Sequence, residues 1–330
     1  MKPTIAIAGA TGAVGQQMLD CLQEYNIDAN IRLLASARSK GKVINDLVVE
    51  ELTPESFKGV DYVLGACEND VTKKWMPWAQ EAGCVVIDNS SAYRLDDNVP
   101  LVVPEINPED IFKHQGIIAN PNCSTIIALM ALHDIDNLYH INRIICTTFQ
   151  AVSGAGVKGI SDLEREIQDI HAAPEAFQYQ IAYNVIPQIG GFDENGITSE
   201  EWKMQNEGRK ILHSPELKVS CTCVRVPVWR SHSESIMAEC DQEVDLNEIR
   251  QALSNSEGVQ LKDDPDQLSY PMPILTTNQD DVFVGRLRKD PTDESGKTVS
   301  LFCAGDQIRK GAASNAVQIL KKLIEKENQA

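Results

Sequence analysis

Residues Thr4–Met18 read TIAIAGATGAVGQQM and join a short apolar strand to an amphipathic helix through three glycines, Gly9, Gly12 and Gly15. Their G-x-x-G-x-x-G spacing differs from the G-x-G-x-x-G fingerprint of dinucleotide-binding folds. The order of strand, loop and helix still favours that function, because free N–H groups at a helix N-terminus attract a pyrophosphate. An ordinary strand-to-helix turn is the alternative, and the glycines alone leave both open. The expected cofactor contacts are Gly9, Thr11, Gly12, Ala13 and Val14.

The end of the second predicted strand, residues 33–42, reads LLASARSKGK and contains no acidic side chain. An NAD site usually places an Asp or Glu about 20 residues beyond the glycine loop to hold the ribose 2′-hydroxyl. Ser36, Arg38 and Ser39 instead offer two hydroxyls and a guanidinium, a set suited to a 2′-phosphate. The sequence therefore predicts NADP as the cofactor, with a solvated basic turn as the alternative.

Two patterns of apolar residues divide the chain into two expected domains. In the first third, short apolar runs alternate with amphipathic segments, as in a parallel sheet with crossover helices. From about Ile144, longer β-branched runs separated by polar turns indicate a mostly antiparallel mixed sheet. The predicted fold class is α/β, with a Rossmann-like parallel-sheet NADP-binding domain (residues 1–122 plus 305–330) and an α+β domain (residues 123–304).

Three helices are expected outside the crossover pattern. Residues Ser161–Ala173 and Ser199–Leu212 have helical character, with Ser199 as the N-cap of the second helix. The tail Gly311–Gln329 is amphipathic, with apolar residues at helical spacing. We expect this last helix to return to the sheet of the first domain.

Composition limits the kinds of partner. With 330 residues, of which 42% are hydrophobic, the chain is long enough for two domains with separate cores. The net charge of −18 would repel nucleic acid and anionic membranes. No apolar run approaches the roughly 18 residues of a membrane span, so a cytoplasmic protein with a small-molecule substrate is expected. Nine scattered cysteines without C-x-x-C spacing predict no metal site.

One cysteine stands apart from the others. Residues 116–125, GIIANPNCST, place Cys123 after Asn-Pro-Asn and before a long apolar run, so its sulfur should lie at a helix N-terminus. The partial positive charge there stabilises a thiolate, the nucleophilic form of cysteine. The alternative role, packing in a core, fits five others: Cys21, Cys67, Cys84, Cys146 and Cys240.

A nucleophile of this kind needs a partner that moves a proton. Among six histidines, His232 follows Arg225 by seven residues, on a predicted strand and the turn after it. Both side chains can point into one cleft, where the arginine binds a carboxylate and the histidine acts as an acid or base. Surface strands also carry both residue types, so the pair alone does not decide between the two roles.

Eight segments together make the chain resemble the bacterial type of aspartate-semialdehyde dehydrogenase over essentially its whole length. They are GATGAVG (9–15), SARS (36–39), NPNCST (120–125), FQAVSGAG (149–156), NVIPQI (184–189), EEWK (200–203), RVPVWRSHSE (225–234) and KGAASNAVQI (310–319). Members of this family reduce L-4-aspartyl phosphate with NADPH to L-aspartate 4-semialdehyde and phosphate, a branch-point step toward lysine, methionine and threonine. The resemblance implies that the second domain carries both catalysis and dimerisation, in a homodimer or homotetramer.

The resemblance also implies roles for individual residues. Cys123 matches the nucleophile that forms a thioester, His232 the general acid/base, and Gln150 the amide beside the acyl oxygen. Arg225 would bind the substrate α-carboxylate, and Glu200 its ammonium group. The remaining matches are phosphate ligands (Arg94, Asn122 and Lys203) and residues beside the nicotinamide (Ser153, Gly154 and Asn315).

Three of these assignments have open alternatives. Glu200 and Lys203 are three residues apart on one predicted helix, so an ion pair between them competes with the phosphate role. Without the resemblance, Arg94 would be a surface arginine. Asn315 follows GDQIRKG (305–311). This segment differs from the sequence of many family members, so the nicotinamide contacts are left open.

Three other functions compete with this interpretation. N-acetyl-γ-glutamyl-phosphate reductase shares the thioester and NADPH, but has glycine before its cysteine where this chain has Asn122. Its acetylated substrate would also have no use for Glu200. Glyceraldehyde-phosphate dehydrogenase is expected to have a different cysteine motif and an acidic residue after the second strand. A catalytically inactive NADP-binding homologue is expected to lose the nucleophile or the histidine, whereas this chain keeps Cys123 and His232.

Overall fold

The computed structural model describes residues 2–327 and divides the chain into two compact units. The first unit contains the chain up to Asn122 and the segment from Ala312 onward, and the second unit is Cys123–Gly311. Residues 305–311, which we assigned to the first domain from the sequence, group with the second unit. Cys123 therefore begins the unit that also contains His232.

The two units are built from thirteen strands and eight α-helices within residues 2–327. The strands are β1 (Thr4–Ala8), β2 (Asn30–Ala35), β3 (Val43–Ile44), β4 (Leu47–Glu51), β5 (Tyr62–Gly65), β6 (Val85–Asp88), β7 (Ile117–Ala119), β8 (Ile141–Gln150), β9 (Lys218–Arg225), β10 (His232–Cys240), β11 (Val259–Leu261), β12 (Val282–Lys289) and β13 (Thr298–Gly305). The α-helices are α1 (Ala13–Glu24), α2 (Asn69–Glu81), α3 (Cys123–Tyr139), α4 (Gly156–Gln168), α5 (Ser199–Ile211), α6 (Leu246–Asn255), α7 (Pro273–Thr276) and α8 (Ser314–Glu327). None of the described helices is long and apolar enough to span a membrane.

The first unit contains a seven-stranded sheet in the order β3-β4-β2-β1-β5-β6-β7. Every neighbouring pair is parallel except β3 and β4, which are antiparallel. Residues 5–8 of β1 are completely buried, although successive side chains point to opposite faces. Both faces of the sheet are therefore covered at this strand, as parallel sheets require. The predicted Rossmann-like parallel sheet is confirmed.

Helix α8 packs on the elements of the first unit. It contacts α1, β5 and β6, and its Ile319 and Leu323 lie in one apolar cluster with Met18 of α1. The amphipathic spacing of the C-terminal segment thus places an apolar stripe against the core of this unit. The structure describes this helix to Glu327, so the expected continuation to Gln329 lies outside the described residues.

The second unit contains a six-stranded mixed sheet in the order β11-β12-β13-β10-β8-β9. The three central pairs are antiparallel, and the outer pairs β11/β12 and β8/β9 are parallel. Helix α3 packs against this sheet, and its residues 124–132 are all buried. The predicted mostly antiparallel mixed sheet is confirmed, and its parallel edge pair β8/β9 turns out to carry two site residues.

One predicted helix has different boundaries. The helix expected at Ser161–Ala173 is α4, which begins at Gly156 and ends at Gln168. It ends early because Asp169 has an extended backbone. The sequence hid its first turn because Gly156 and Gly159 lie there, and glycine has a low helix propensity.

The N-cap of α5 is Thr198 rather than Ser199, the residue expected from the sequence. The Thr198 side chain accepts the N–H of Glu201 at 3.3 Å, and the Glu201 carboxylate accepts the N–H of Thr198 at 2.7 Å. This reciprocal capping box satisfies two N–H groups at the helix N-terminus. Ser199 therefore becomes the first helical residue.

Candidate active site

Three of the predicted site residues lie at the ends of neighbouring strands, on one side of the six-stranded sheet. Gln150 is the last residue of β8, and Arg225 is the last residue of β9. These strands are parallel and pair Gln150 with Arg225, so both side chains come from adjacent carboxyl ends. Strand β10 runs antiparallel to β8 and begins at the same edge with His232. The register thus brings together three side chains from three different strands.

The imidazole of His232 is completely buried. The Ala151 N–H donates to its Nδ1 at 3.0 Å, so the neutral ring carries its proton on Nε2. Nε2 lies 3.5 Å from the amide nitrogen of Gln150. The pKa of His232 is lowered to about 3, mainly by burial and then by the nearby Arg225 guanidinium. Glu200 acts in the opposite direction and raises it. The ring is therefore neutral at pH 7 and presents one N–H donor.

The side-chain amide of Gln150 has a fixed orientation. Its Nε2 donates to Glu200 Oε1 at 3.2 Å, and its Oε1 accepts the hydroxyl of Thr148 at 3.1 Å. Gln150 is only 2% exposed, so water does not compete for these bonds. The result is a neutral amide held beside the imidazole of His232.

Glu200 and Lys203 form the ion pair that competes with the predicted phosphate role. Lys203 Nζ donates to Glu200 Oε2 at 2.8 Å. Glu200 is buried, whereas the Lys203 side chain is 29% exposed, so an anion from solvent can still reach its ammonium group. The phosphate role of Lys203 stays a prediction.

The guanidinium of Arg225 is buried, and its Nη1 donates to the Ala151 carbonyl oxygen at 2.7 Å. Burial lowers the pKa of Arg225, while Glu200 and the Cys123 sulfur act in the opposite direction. Both groups therefore lie within electrostatic range of the guanidinium. Because arginine keeps its charge at neutral pH, this edge holds one fixed cation suited to a carboxylate.

Cys123 is the first residue of α3 and is half-buried, and the preceding Asn122 is buried. The helix N-terminus favours a thiolate at this position. Gly311 makes room for the cysteine, because a Cβ at 311 would come within 2.8 Å of the Cys123 Cβ. In contrast, burial raises the pKa of Cys67 and Cys84 to about 11, which keeps those thiols protonated.

Gly154 occupies a position that has no room for a side chain. A Cβ there would lie 2.8 Å from Arg225 Nη1 and 3.3 Å from His232 Cε1. The backbone after β8 therefore passes directly beside the cation and the imidazole. This close approach fits the predicted functional role of the Ser153–Gly154 pair.

Gln307, which the sequence analysis missed, connects two segments of the site. Its Oε1 accepts the N–H of Ser231 at 2.8 Å, and its amide nitrogen donates to the Ser153 hydroxyl. Ser231 precedes His232 and has a φ of 75°, so a bond to its N–H helps hold an unfavourable turn. The departure in GDQIRKG pointed to this segment, but no sequence pattern shows what its glutamine contacts.

In the first unit, the glycine loop makes a tight turn between β1 and α1. Gly9 has a φ of 90°, and a Cβ there would come within 2.6 Å of the Ala66 carbonyl oxygen. Gly12 is the N-cap of α1, and no side chain caps this helix. A Cβ on Gly15 would lie 2.4 Å from the Gly9 carbonyl oxygen. The loop, which also contains Thr11, Ala13 and Val14, fits a pyrophosphate at the helix N-terminus.

The residues predicted to hold the 2′-phosphate follow β2. They surround the short 3₁₀ turn Ala37–Ser39, with Ser36 and Arg38 exposed and Ser39 buried. Within residues 2–327, the Arg38 guanidinium forms no hydrogen bond or ion pair. This cation is therefore available to a ligand.

Arg94 and Asn315 belong to a buried polar cluster of the first unit. Arg94 donates to the carbonyl oxygens of Asn120 and Asn89 at 2.9 and 2.8 Å. The Asn315 amide nitrogen donates to Asn120 Oδ1 at 2.7 Å and to the Val102 carbonyl oxygen at 2.9 Å. Arg94 is thus no surface arginine, and Asn315 is completely buried. A direct contact of Asn315 with the nicotinamide stays a prediction.

Comparisons with known proteins assign the two parts of the chain to one family. Residues 4–114 match the family model described as semialdehyde dehydrogenase, NAD binding domain, and residues 129–310 match semialdehyde dehydrogenase, dimerisation domain. The aspartate-semialdehyde dehydrogenase of Aquifex aeolicus is 48% identical to this chain and covers 97% of each sequence. The match to the NAD binding domain places the chain among enzymes with a nicotinamide cofactor.

Two solved structures support the same assignment. Aspartate semialdehyde dehydrogenase II from Vibrio cholerae, solved as a complex with ASA, has a TM-score of 0.93 at 41% identity, covering 98% of this chain and 99% of that chain. The aspartate semialdehyde dehydrogenase of Candida albicans, solved with NADP, has a TM-score of 0.77 at 26% identity, covering 98% of each chain. The fold and the sequence matches agree: this chain belongs to the aspartate-semialdehyde dehydrogenase family.

Proposed function

We propose that this chain catalyses the reversible, NADPH-dependent conversion of L-4-aspartyl phosphate to L-aspartate 4-semialdehyde and phosphate. The main support for this proposal is a cluster of four side chains, Gln150, Glu200, Arg225 and His232. Cys123 lies within electrostatic range of Arg225. Together these residues offer a group for each part of the substrate: the acyl carbon, the α-carboxylate and the ammonium. The product serves lysine, methionine and threonine biosynthesis.

Cys123 performs the covalent chemistry. Its thiolate attacks the acyl carbon, a C–S bond forms, and the bond from carbon to the phosphate oxygen breaks, which gives a thioester and inorganic phosphate. NADPH supplies the hydride that reduces this thioester. The resulting hemithioacetal collapses to the aldehyde, and Cys123 leaves as a thiolate.

His232 and Gln150 act on the acyl oxygen. The neutral imidazole donates its Nε2–H as a hydrogen bond to that oxygen as negative charge develops on it. This bond stabilises the hemithioacetal oxyanion, which collapses without a proton transfer. The Gln150 amide contributes a second, uncharged donor. Because the imidazole is neutral in a buried site, both groups stabilise a developing charge without placing a fixed one there.

The amino-acid end of the substrate binds Arg225 and Glu200. The guanidinium fork of Arg225 receives the α-carboxylate, and the Glu200 carboxylate receives the ammonium group. An acetylated substrate has no ammonium group to satisfy this buried carboxylate, which argues against N-acetyl-γ-glutamyl phosphate. The complex of the Vibrio cholerae relative with ASA supports an aspartate-semialdehyde ligand.

The cofactor we propose is NADP, held by the first unit. Gly9, Thr11, Gly12, Ala13 and Val14 would bind the pyrophosphate, and Ser36, Arg38 and Ser39 the 2′-phosphate. The exposed guanidinium of Arg38 and the NADP found in the Candida albicans relative support this choice. Ser153, Gly154 and Asn315 are the proposed residues on the nicotinamide side. For the assembly, the dimerisation-domain match supports oligomerisation, and we propose a homodimer or homotetramer.

Arg38→Ala tests the choice of cofactor. We expect the KM for NADP to rise about 10- to 100-fold and the KM for NAD to change less than about twofold, because only NADP offers the 2′-phosphate. Steady-state rates with each cofactor measure this difference. Lys40→Ala is the matched control in the same turn, since Lys40 already pairs with Glu51 at 3.3 Å. Equal losses for both cofactors in Arg38→Ala would refute the 2′-phosphate contact.

Lys203→Ala tests phosphate binding. We expect the KM for inorganic phosphate to rise roughly tenfold or more, because a charge-assisted hydrogen bond is lost, while the KM for NADP stays constant. In Lys203→Arg, which keeps the charge, phosphate binding should be partly retained. Initial rates in the oxidative direction at varied phosphate concentration give these values. An unchanged KM for phosphate in Lys203→Ala would mean that Lys203 forms the ion pair with Glu200 and does not bind phosphate. In the first unit, Arg94 and Asn122 are the other proposed phosphate ligands.

The function itself is tested in the oxidative direction. Purified protein mixed with L-aspartate semialdehyde, NADP and phosphate should form NADPH continuously, followed by absorbance. Omitting phosphate should leave only a burst, because the thioester then has no acceptor. Oxidation of N-acetyl-γ-glutamyl semialdehyde in place of aspartate semialdehyde would assign the rival function. Binding of NADP without any oxidation would indicate an inactive homologue.

A further inference from the structure

An aromatic ring covers the cation of the site. The Cζ atom of Arg225 lies 5.7 Å from the ring centroid of Phe177, within the range of cation–π contacts. Phe177 belongs to none of the segments that carry the family resemblance. Within residues 2–327, the only hydrogen-bond acceptor of this guanidinium is the Ala151 carbonyl oxygen. Ring and carbonyl oxygen therefore set the position of the guanidinium, and its other N–H donors stay available.

Two buried carboxylates hold the segment that contains Phe177. Asp162 accepts the N–H groups of residues 175–176 at 2.7 to 2.9 Å, and Glu166 accepts those of residues 181–182 at 2.7 and 2.8 Å. The two carboxylates are four residues apart on α4, so they face the same side of the helix. Both are almost completely buried. The backbone is thus fixed on either side of Phe177.

The helix surface is also shaped to receive the ring. A Cβ on Gly159 of α4 would lie 3.1 Å from Phe177 Cζ, which is tighter than ordinary packing. Phe177 packs against a small apolar cluster that includes Val152, Leu163 and Ile181. Gly159, one of the two glycines that hid the start of α4 in the sequence, therefore leaves space for this aromatic side chain.

We propose that Phe177 is a positioning residue that sets selectivity for the substrate α-carboxylate through Arg225. The inference rests on the proposed function. The donors of a guanidinium lie in its plane, so a ring in contact with Arg225 Cζ restricts the movement of the group and leaves its remaining N–H donors for a carboxylate. The ring also excludes water from that face, and this strengthens the attraction between guanidinium and carboxylate.

The effect of Phe177 is confined to one part of the substrate. The proposed reaction gives Phe177 no role at the acyl carbon, the phosphate or the cofactor. Removing the ring should therefore weaken binding of a substrate with an α-carboxylate and spare one that lacks it. If Phe177 had only a structural role, its removal would lower kcat/KM for both kinds of substrate together.

Phe177→Leu, Phe177→Tyr and Tyr179→Leu form the test set. Leucine fills most of the apolar space without a π face, tyrosine keeps the π face, and Tyr179 is a 69%-exposed aromatic residue of the same segment. In Phe177→Leu we expect the KM for aspartate semialdehyde to rise about tenfold. The values of kcat and the KM for phosphate should stay within about twofold. Phe177→Tyr should keep the wild-type KM, and Tyr179→Leu should behave as the wild type.

A substrate analogue and the wild-type rates complete the test. With 3-aminopropanal, which lacks the α-carboxylate, kcat/KM should be the same in wild type and Phe177→Leu. If the wild type is active and Phe177→Leu has the same KM for aspartate semialdehyde, the role of Phe177 is overturned and the proposed function stands. Equal losses with both aldehydes would also overturn this role, in favour of a structural one. Wild type without activity on aspartate semialdehyde would overturn the proposed function and this inference with it.

Discussion

Cys123→Ser is expected to lower kcat by about 10⁴-fold or more, while the Kd for NADP stays unchanged. The N-terminus of α3 can stabilise a thiolate, because a thiol ionises near neutral pH. A serine hydroxyl ionises far above that range, and His232 cannot accept its proton through Nε2, because that nitrogen already carries a proton. The proposed cofactor residues Gly9–Val14 and Ser36–Ser39 are untouched by this change.

Rapid mixing of the variant with aspartate semialdehyde and NADP measures this effect directly. The wild type should show a burst of NADPH in the absence of phosphate, and Cys123→Ser should show none. Cys221→Ser is the matched control, because Cys221 is the other half-buried cysteine of the second unit. It should keep the burst. Near-normal turnover in Cys123→Ser would remove the thioester from the mechanism.

Local patterns were sufficient to predict the parts of the fold that depend on neighbouring residues. The glycine loop predicts a strand before it and a helix after it, and both are present as β1 and α1. The apolar run after Cys123 predicts a buried helix, and α3 begins at that residue. These features follow from backbone geometry and burial over a few turns, which one segment of sequence records.

The assembly of the site depends on strand pairing, which no single segment records. Gln150 and Arg225 meet because β8 and β9 are parallel neighbours in register. The runs that form the second sheet predict strands but not their order, and a mostly antiparallel expectation does not identify this parallel edge. The roles of Arg225 and His232 therefore came from the family resemblance rather than from spacing.

Residues that act through other residues were the hardest to predict. Gln307 lies far along the chain from Ser153, and their hydrogen bond exists only because the fold brings the two segments together. Phe177 lies in a stretch without helical or strand periodicity, and its place over Arg225 is set by two carboxylates of α4. Contacts of this kind have no local pattern, so only the structure reveals them.

His232→Asn is the second change with a large expected effect. We expect kcat to fall about 10²- to 10⁴-fold, because the Nε2–H donor to the acyl oxygen is lost. The KM for aspartate semialdehyde should change little, since Arg225 and Glu200 bind the other end of the substrate. His171→Asn, which replaces an exposed imidazole, is the control and should keep wild-type turnover. Wild-type kcat in His232→Asn would exclude a catalytic hydrogen bond from this imidazole to the acyl oxygen.

The imidazole of His232 should also make the stability of the wild type depend on pH more strongly than that of His232→Asn. The buried imidazole of His232 has a pKa of about 3 in the folded protein, against about 6.5 in the unfolded chain. This group contributes its full stability above the unfolded pKa and loses it as the pH falls toward the folded pKa, because only the unfolded chain takes up the proton. Between pH 7 and pH 5 the wild type should lose about 2 kcal/mol more unfolding free energy than His232→Asn. Urea unfolding of both proteins at the two pH values measures this difference. Parallel losses would mean that the imidazole can be protonated within the folded protein, in which case its role as a neutral donor would be wrong.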